Sequence, residues 1–292
     1  MPFDTRTAVL FPGQGSQERG MRDLVAEHAP DLLAQCLELI GEDPFERVDD
    51  STRFAQPAIF CASVAGWRRS GLSPGDPVAV AGHSLGEFAA LVAVGAVGDH
   101  DALRLVVTRG HLMAQAGERA GGGTMLALLG ASADSARHLA AGHGVVVAND
   151  NAPGQIVLSG AGNALTAAAR QAREDGLRAM KLGVAGAFHS PAMAGAVPEF
   201  ESALRQVEFR APAAPVISCA TAARMTTPRR DLAAALTHPV RWAETMRTLA
   251  ALDVRRFADA GPGSVLAKLA RRNVPSADAV ALADLALEPA RG

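Results

Sequence analysis

The chain has 292 residues, 49% of them apolar and 20% charged, and a net charge of −2. That is enough to bury one large or two modest cores, and the balance of charge argues against disorder and against general nucleic-acid binding. Cys36, Cys61 and Cys219 are too few and too scattered for a disulfide framework or a zinc site, the start Met1-Pro2-Phe3-Asp4 lacks the basic and apolar regions of a signal peptide, and no run of about 20 apolar residues is present to span a bilayer.

Taken in chain order, residues 7–11 form an apolar strand ended by the turn Pro12-Gly13-Gln14-Gly15. Helical patterns follow over 18–40 and 56–70. Residues 77–81 read as a short buried strand, 87–92 as the start of a helix, and 98–116 as a further helix. From Gly121 to Val184 the style changes. A strand over 124–130, a helix over 132–141, strands over 145–149 and 155–159, a helix over 163–175 and a strand over 178–184 give the β-α-β-β-α-β order of the ferredoxin-like split motif. The expectation is a small domain over 121–187, hinged at Gly121-Gly122-Gly123 and inserted into an α/β domain made of 1–120 and 188–292. Beyond it, 214–219 and 255–259 read as strands, and 264–272 as a helix after Gly261-Pro262-Gly263. Such an insert predicts a cleft between the domains, where sites tend to form.

Ser84 lies in Gly82-His83-Ser84-Leu85-Gly86, between a predicted strand and a predicted helix. A G-x-S-x-G pentapeptide in that setting forms a nucleophile elbow, a sharp turn that lifts the serine hydroxyl toward substrate. The helix start behind it offers backbone N–H groups to a developing oxyanion. In a Gly-rich chain the pentapeptide alone carries little; its flanks supply the specificity.

A serine nucleophile needs a base, and the chain has eight histidines. His83 is expected to point away from the hydroxyl. His28, His100, His111, His138 and His143 lie within or at the ends of predicted helices with no chemical company. Two remain: His189, in the loop after the small domain, and His238, placed late in the chain as in hydrolase triads. Arg109 sits within the apolar stripe Ala102, Leu105, Val106, Leu112, Met113, Ala116 of one predicted helix. A guanidinium on a buried face needs an anion, either a buried Asp or Glu or a ligand carboxylate. The basic pairs Arg68-Arg69, Arg229-Arg230, Arg255-Arg256 and Arg271-Arg272 have no interleaved aromatics and read as solvated surface.

Several motifs occur together and in order: Phe11-Pro12-Gly13-Gln14-Gly15-Ser16-Gln17, Gly82-His83-Ser84-Leu85-Gly86-Glu87, Arg109-Gly110, Ala187-Phe188-His189-Ser190-Pro191-Ala192-Met193, Pro239-Val240-Arg241-Trp242 and Gly261-Pro262-Gly263. In this the chain resembles the malonyl-CoA:acyl carrier protein transacylases, a family shared by fatty-acid and polyketide synthesis, over nearly its whole length. The resemblance implies an α/β-hydrolase-like large domain with a ferredoxin-like insert, and an enzyme with malonyl-CoA as substrate and no bound cofactor. The cysteine count and the lack of a signal or spanning segment lead to the expectation of a cytoplasmic protein without a metal site. Its partners would be an acyl carrier protein and a coenzyme A thioester, with no nucleic acid and no membrane.

Residue by residue, the resemblance makes Ser84 the nucleophile, His189 the base, and the N–H groups of Gln14 and Leu85 the oxyanion hole. It gives Arg109, 25 residues after Ser84, the substrate carboxylate, and has the backbone carbonyl of Arg241 orient the imidazole in place of a triad acid. Phe188 would select malonyl over bulkier acyl groups. Asn149, Asn151 and Gln155 are candidates for lining the cleft, although a turn before a strand explains them equally well. Carrier proteins are generally acidic, so a basic rim is expected at the cleft mouth, with Arg271, Arg272 and Lys181 as candidates. The alternatives are an acyl-carrier-protein hydrolase of the same fold, against which Arg109 argues, and a transferase for a substituted malonyl unit.

Overall fold

A computed structural model describes residues 6–285; the start Met1-Pro2-Phe3-Asp4, expected to carry no signal peptide, lies outside the described residues. The elements run β1 (Thr7–Phe11), α1 (Met21–His28), α2 (Pro30–Ile40), α3 (Thr52–Ser70), β2 (Ala79–Gly82), α4 (Gly86–Ala93), α5 (Asp99–Arg119), β3 (Thr124–Leu129), α6 (Ala133–Gly142), β4 (Val146–Ala152), β5 (Gln155–Gly160), α7 (Gly162–Glu174), β6 (Arg178–Lys181), α8 (Val197–Arg205), β7 (Val216–Ile217), α9 (Pro228–Ala234), α10 (Trp242–Ala250), β8 (Arg256–Asp259), α11 (Val265–Asn273) and β9 (Asp278–Ala281).

Five strands form a parallel sheet in the order β7-β2-β1-β8-β9. Both faces are covered, so β1 is buried at every position and apolar from Ala8 to Phe11. Val9 and Phe11 enter the core shared with α3, α4 and α5, whereas Ala8 and Leu10 enter the core under α10 and α11. The second sheet, β4-β5-β3-β6, is antiparallel throughout. Its Leu126, Leu128, Ile156 and Leu158 pack against α6 and α7, while Met125 and Val157 on the opposite face join the larger core.

The α/β architecture and the β-α-β-β-α-β order agree with the pattern read from the chain, but several boundaries differ. The helical pattern over 18–40 is two helices, broken at Ala29 with Pro30 at the first position of α2. Helix α3 starts at Thr52, before Pro57, because Ser51 caps it by accepting the Arg53 N–H. Strand β6 stops at Lys181, and β9 extends the parallel sheet beyond β8.

The two sheets are tied together beside the cleft. Asp150 N–H donates to Val240 O at 2.9 Å and Val240 N–H to Ala148 O at 2.8 Å. From α11, Arg272 donates to Gln155 Oε1 at 2.6 Å and Pro153 O at 2.8 Å, and Asn273 Nδ2 donates to Asn151 O at 2.9 Å.

Candidate active site

Ser84 stands between β2 and α4, at the C-terminal edge of the parallel sheet. The flanking glycines are required by contact. A Cβ on Gly82 would lie 2.0 Å from Glu87 N, and one on Gly86 would lie 1.9 Å from Phe11 O. Ser84 itself has φ 52° and His189 has φ 55°; they are two of the four non-glycine residues with positive φ among the described residues. Such backbone conformations cost about 1–3 kcal/mol and persist only where the surroundings hold them.

The two side chains meet. Ser84 Oγ–H donates to His189 Nε2 at 2.9 Å. His189 Nδ1–H donates to Ala235 O at 2.8 Å and His238 O at 3.1 Å, which fixes the tautomer with Nε2 as acceptor. This corrects the assignment of the orienting carbonyl to Arg241. That carbonyl caps α10, accepting from Thr245 N–H at 2.9 Å and Thr245 Oγ1 at 3.0 Å. The His238 side chain is no base either, since its ring is held at Ala234 O; its contribution is its main chain. His83 points elsewhere, bonded to Asn151 Oδ1 at 2.8 Å and packed on Trp242.

Arg109 is 2% exposed, and α5 carries it to the same point. Its Nη2 donates to Ser84 Oγ at 2.9 Å and its Nη1 to Gln56 Oε1 at 2.6 Å. Among the described residues no carboxylate lies within ion-pair distance of this guanidinium, so the buried Asp or Glu partner considered from the sequence is absent. Glu87, fully buried in the first turn of α4, attracts the arginine electrostatically but turns its Oε1 to the Cys219 N–H at 2.9 Å.

Burial, then the Arg109 charge and His83, pull the His189 pKa down to about 3, which keeps it a neutral base. Burial also lowers Arg109 to about 10, leaving it cationic at neutral pH, and raises Glu87 to about 7.

These groups open on a cavity of about 550 Å³ between the serine elbow and the antiparallel sheet, with Gln14, Gln56, Leu85, Met113, Met125 of β3, Asn149 of β4 and Phe188 in its wall. Among the described residues no acceptor takes the N–H of Gln14 or Leu85, and both residues stand in the cavity wall. The Phe188 ring lies against Gly186, where a Cβ would come within 2.4 Å of it. Asn149 lines the cavity with its Oδ1 buried and unpaired. Asn151 and Gln155 do not line it, because their side chains are engaged by His83 and Arg272.

Gln56 was not singled out from the sequence. Its Nε2 donates to Thr52 Oγ1 at 2.8 Å, and Thr52 Oγ1 donates to Gln14 Oε1 at 3.0 Å. One chain of hydrogen bonds therefore joins the Gln14 turn to Arg109. The available signal was a lone glutamine in the apolar run from Phe54 to Ala65.

Several basic residues expected at the surface are anchored. Arg68 pairs with Asp31 and Asp99, and Arg229 donates to Leu204 O and Val207 O. Arg271 donates to Ala279 O. With Arg272 tied to Pro153 and Gln155, this pair is no free docking rim, whereas Lys181 is exposed beside the cavity-lining residues Leu182, Gly183 and Val184. No described helix is long and apolar enough to cross a membrane, and no described group of three His, Cys, Asp or Glu is placed to hold a metal.

An elbow serine bonded to a neutral histidine, with the N–H groups of cavity-wall residues and a buried cation beside it, is an arrangement for acyl transfer onto serine. The acyl transferase domain model matches residues 9–288, and the chain belongs to that family. It is 40% identical over 285 residues to the polyketide biosynthesis protein ThaF of Burkholderia thailandensis, covering 92% of this chain and 24% of that much longer protein. It is 37% identical to the malonyl CoA-acyl carrier protein transacylase of Bacillus subtilis, covering 92% of this chain and 90% of that one. Among solved structures, the malonyl-CoA:acyl carrier protein transacylase of Xanthomonas oryzae is similar with a TM-score of 0.86 and 37% identity, covering 95% and 94% of the two chains. A malonyl-transacylase solved with its type II polyketide acyl-carrier protein has a TM-score of 0.84 and 33% identity, covering 93% and 94%.

Proposed function

We propose that this chain is an acyl carrier protein S-malonyltransferase, moving malonyl from coenzyme A to a carrier-protein thiol in fatty-acid or polyketide synthesis. The observation that carries the reading is Arg109, a buried guanidinium with no carboxylate partner among the described residues, 2.9 Å from Ser84 Oγ. Its planar fork suits a carboxylate bidentately, and the free carboxylate of malonyl is the anion it lacks.

Ser84 is the nucleophile and His189 the general base. His189 Nε2 takes the Ser84 proton as Oγ attacks the thioester carbon. The carbonyl electrons move to oxygen, which accepts from the Gln14 and Leu85 N–H groups; one such donor is worth roughly 2.7–4 kcal/mol. Collapse expels the coenzyme A sulfur, which leaves with the proton from His189. The malonyl-serine ester remains, its carboxylate on Arg109. The pantetheine thiol of the carrier protein then gives its proton to His189 and attacks the ester, and the departing Ser84 oxygen recovers that proton. Residues 121–187 form the small domain that closes one side of the cleft. Phe188 fills the space that an α-substituent on the acyl group would need, which favours plain malonyl.

Malonyl-CoA is the substrate and no cofactor takes part in these steps. The three cysteines are free and buried, which fits a reducing cytoplasm. Intact-mass measurement after exposure to malonyl-CoA tests the reading. One malonyl group is expected on the wild type and none on Ser84→Ala; a wild type that takes up acetyl in preference overturns it.

A further inference from the structure

Ser84 holds a left-handed backbone that glycine would adopt more readily, so something outside the elbow must keep it there. Its N–H donates to Cys219 Sγ at 3.3 Å. Cys219 follows β7 and is 0% exposed, so no water replaces that acceptor. The Cys219 N–H donates to Glu87 Oε1 at 2.9 Å, three residues beyond the nucleophile, and the cysteine thereby grips the elbow at two points. Its carbonyl accepts the Arg241 N–H at 2.7 Å. Three residues before Arg241 stands His238, whose carbonyl is one of the two that hold His189 Nδ1.

The contacts close a ring. From Ser84 N–H the path runs through Cys219 to Arg241, back along the chain to His238 O, across to His189, and from Nε2 to Ser84 Oγ at 2.9 Å. No acid side chain joins base and nucleophile here, since both acceptors on Nδ1 are main-chain oxygens.

We infer that Cys219 is the positioning residue that sets the nucleophile elbow against the loop orienting the base, so that Ser84 and His189 meet at reacting distance. Burial and the neighbouring Glu87 carboxyl raise the Cys219 pKa well above its ordinary value. The sulfur therefore remains a neutral thiol that accepts a hydrogen bond without competing for the acyl group.

The inference rests on Ser84 being the acylated nucleophile, and its test separates the two ideas. Cys219→Ala and Cys219→Ser are compared with the wild type in three ways: labelling of Ser84 by a fluorophosphonate, kcat and KM for malonyl transfer, and Tm. Cys219→Ala is expected to slow labelling and kcat by about 10-fold or more, as misplacement of a reacting group does, with KM for malonyl-CoA within about two-fold of wild type. Cys219→Ser, which restores an acceptor for the Ser84 N–H, recovers most of the rate. Wild-type rates in Cys219→Ala overturn the inference, as do equal losses in both variants that follow Tm. If Cys219→Ala does not fold, Cys219→Val fills the thiol's space without an acceptor and takes its place in the comparison. Labelling requires only an activated Ser84, so a wild type that is labelled but never malonylated sinks the malonyl reading and leaves the Cys219 comparison standing.

Discussion

Arg109 donates a hydrogen bond to Ser84 Oγ at 2.9 Å, and its charge also depresses the pKa of His189, the base bonded to that same oxygen. The residue proposed to choose the substrate is therefore wired into the machinery that attacks it. Changing it should alter selectivity and proton transfer together.

For selectivity, Arg109→Ala should lose malonyl transfer and gain tolerance for acetyl-CoA. When acetyl occupies the wild-type site, a buried cation is left without an anion, and that penalty rejects the uncharged group. Removing the guanidinium removes both the grip and the penalty. Arg109→Lys should rescue only in part, because an ammonium cannot make two parallel hydrogen bonds. The measurement is the ratio of malonyl to acetyl carried on Ser84. An unchanged ratio in Arg109→Ala makes the arginine structural.

For proton transfer, a base held near a pKa of about 3 stays deprotonated far below the ordinary histidine range. Fluorophosphonate labelling of Ser84 uses a reagent with no ionisable acyl group and reports the base directly. Its rate should stay level as pH falls through 6.5 and decline only in more acidic solution. Burial is the larger cause of the shift and Arg109 the second, so Arg109→Ala should move the acid limb upward without restoring it to 6.5. His189→Ala should cost roughly 10²–10⁴-fold at every pH in this range. A wild-type limb at 6.5 would contradict the buried, neutral base.

Much of this site was legible because its marks are local. The elbow needs two close-packed glycines around one serine, and Arg109 interrupts an apolar stripe at helical spacing; both can be read in a short window. The orienting carbonyl was misassigned because every residue carries one, and only the fold decides that Ala235 and His238, and not Arg241, face the imidazole. Gln56 and Cys219 act across 53 and 135 residues of separation, which no spacing rule spans. Strand β9 was missed for a different reason. Its residues packed on the two cores are Ala279 and Val280, in a stretch with only one β-branched residue, so its strand signal is weak.

Buried titratable groups at the site should also shape stability against pH, with opposite signs. His189 has a folded pKa of about 3 against 6.5 unfolded, so the stability it contributes is present above 6.5 and is lost as pH falls toward 3. Glu87 has a folded pKa of about 7 against 4.5, so its contribution is full below 4.5 and is lost as pH rises through 7. Urea midpoints measured from pH 4 to pH 9 should show a shallower acid decline in His189→Gln and a shallower decline toward alkaline pH in Glu87→Gln. Curves parallel to the wild type in both variants would mean that neither group is held as the structure holds it.

In the proposed reaction the carrier protein brings its pantetheine to the mouth of the cleft, where Lys181 is an exposed cation among the described residues, on β6 next to Leu182, Gly183 and Val184. Arg271 and Arg272 are tied to main-chain and side-chain acceptors within the fold and should matter less. Attraction between an acidic carrier and a basic rim acts on the rate of encounter and weakens with salt. Lys181→Glu should lower kcat/KM for the carrier protein several-fold, while malonylation of Ser84 from malonyl-CoA stays near wild type. Raising the salt should slow transfer to the carrier more than self-acylation in the wild type, and the difference should shrink in Lys181→Glu. If the substitution slows both half-reactions equally, Lys181 acts on the cleft itself or on its coenzyme A substrate. If it slows neither, docking is set elsewhere on the surface.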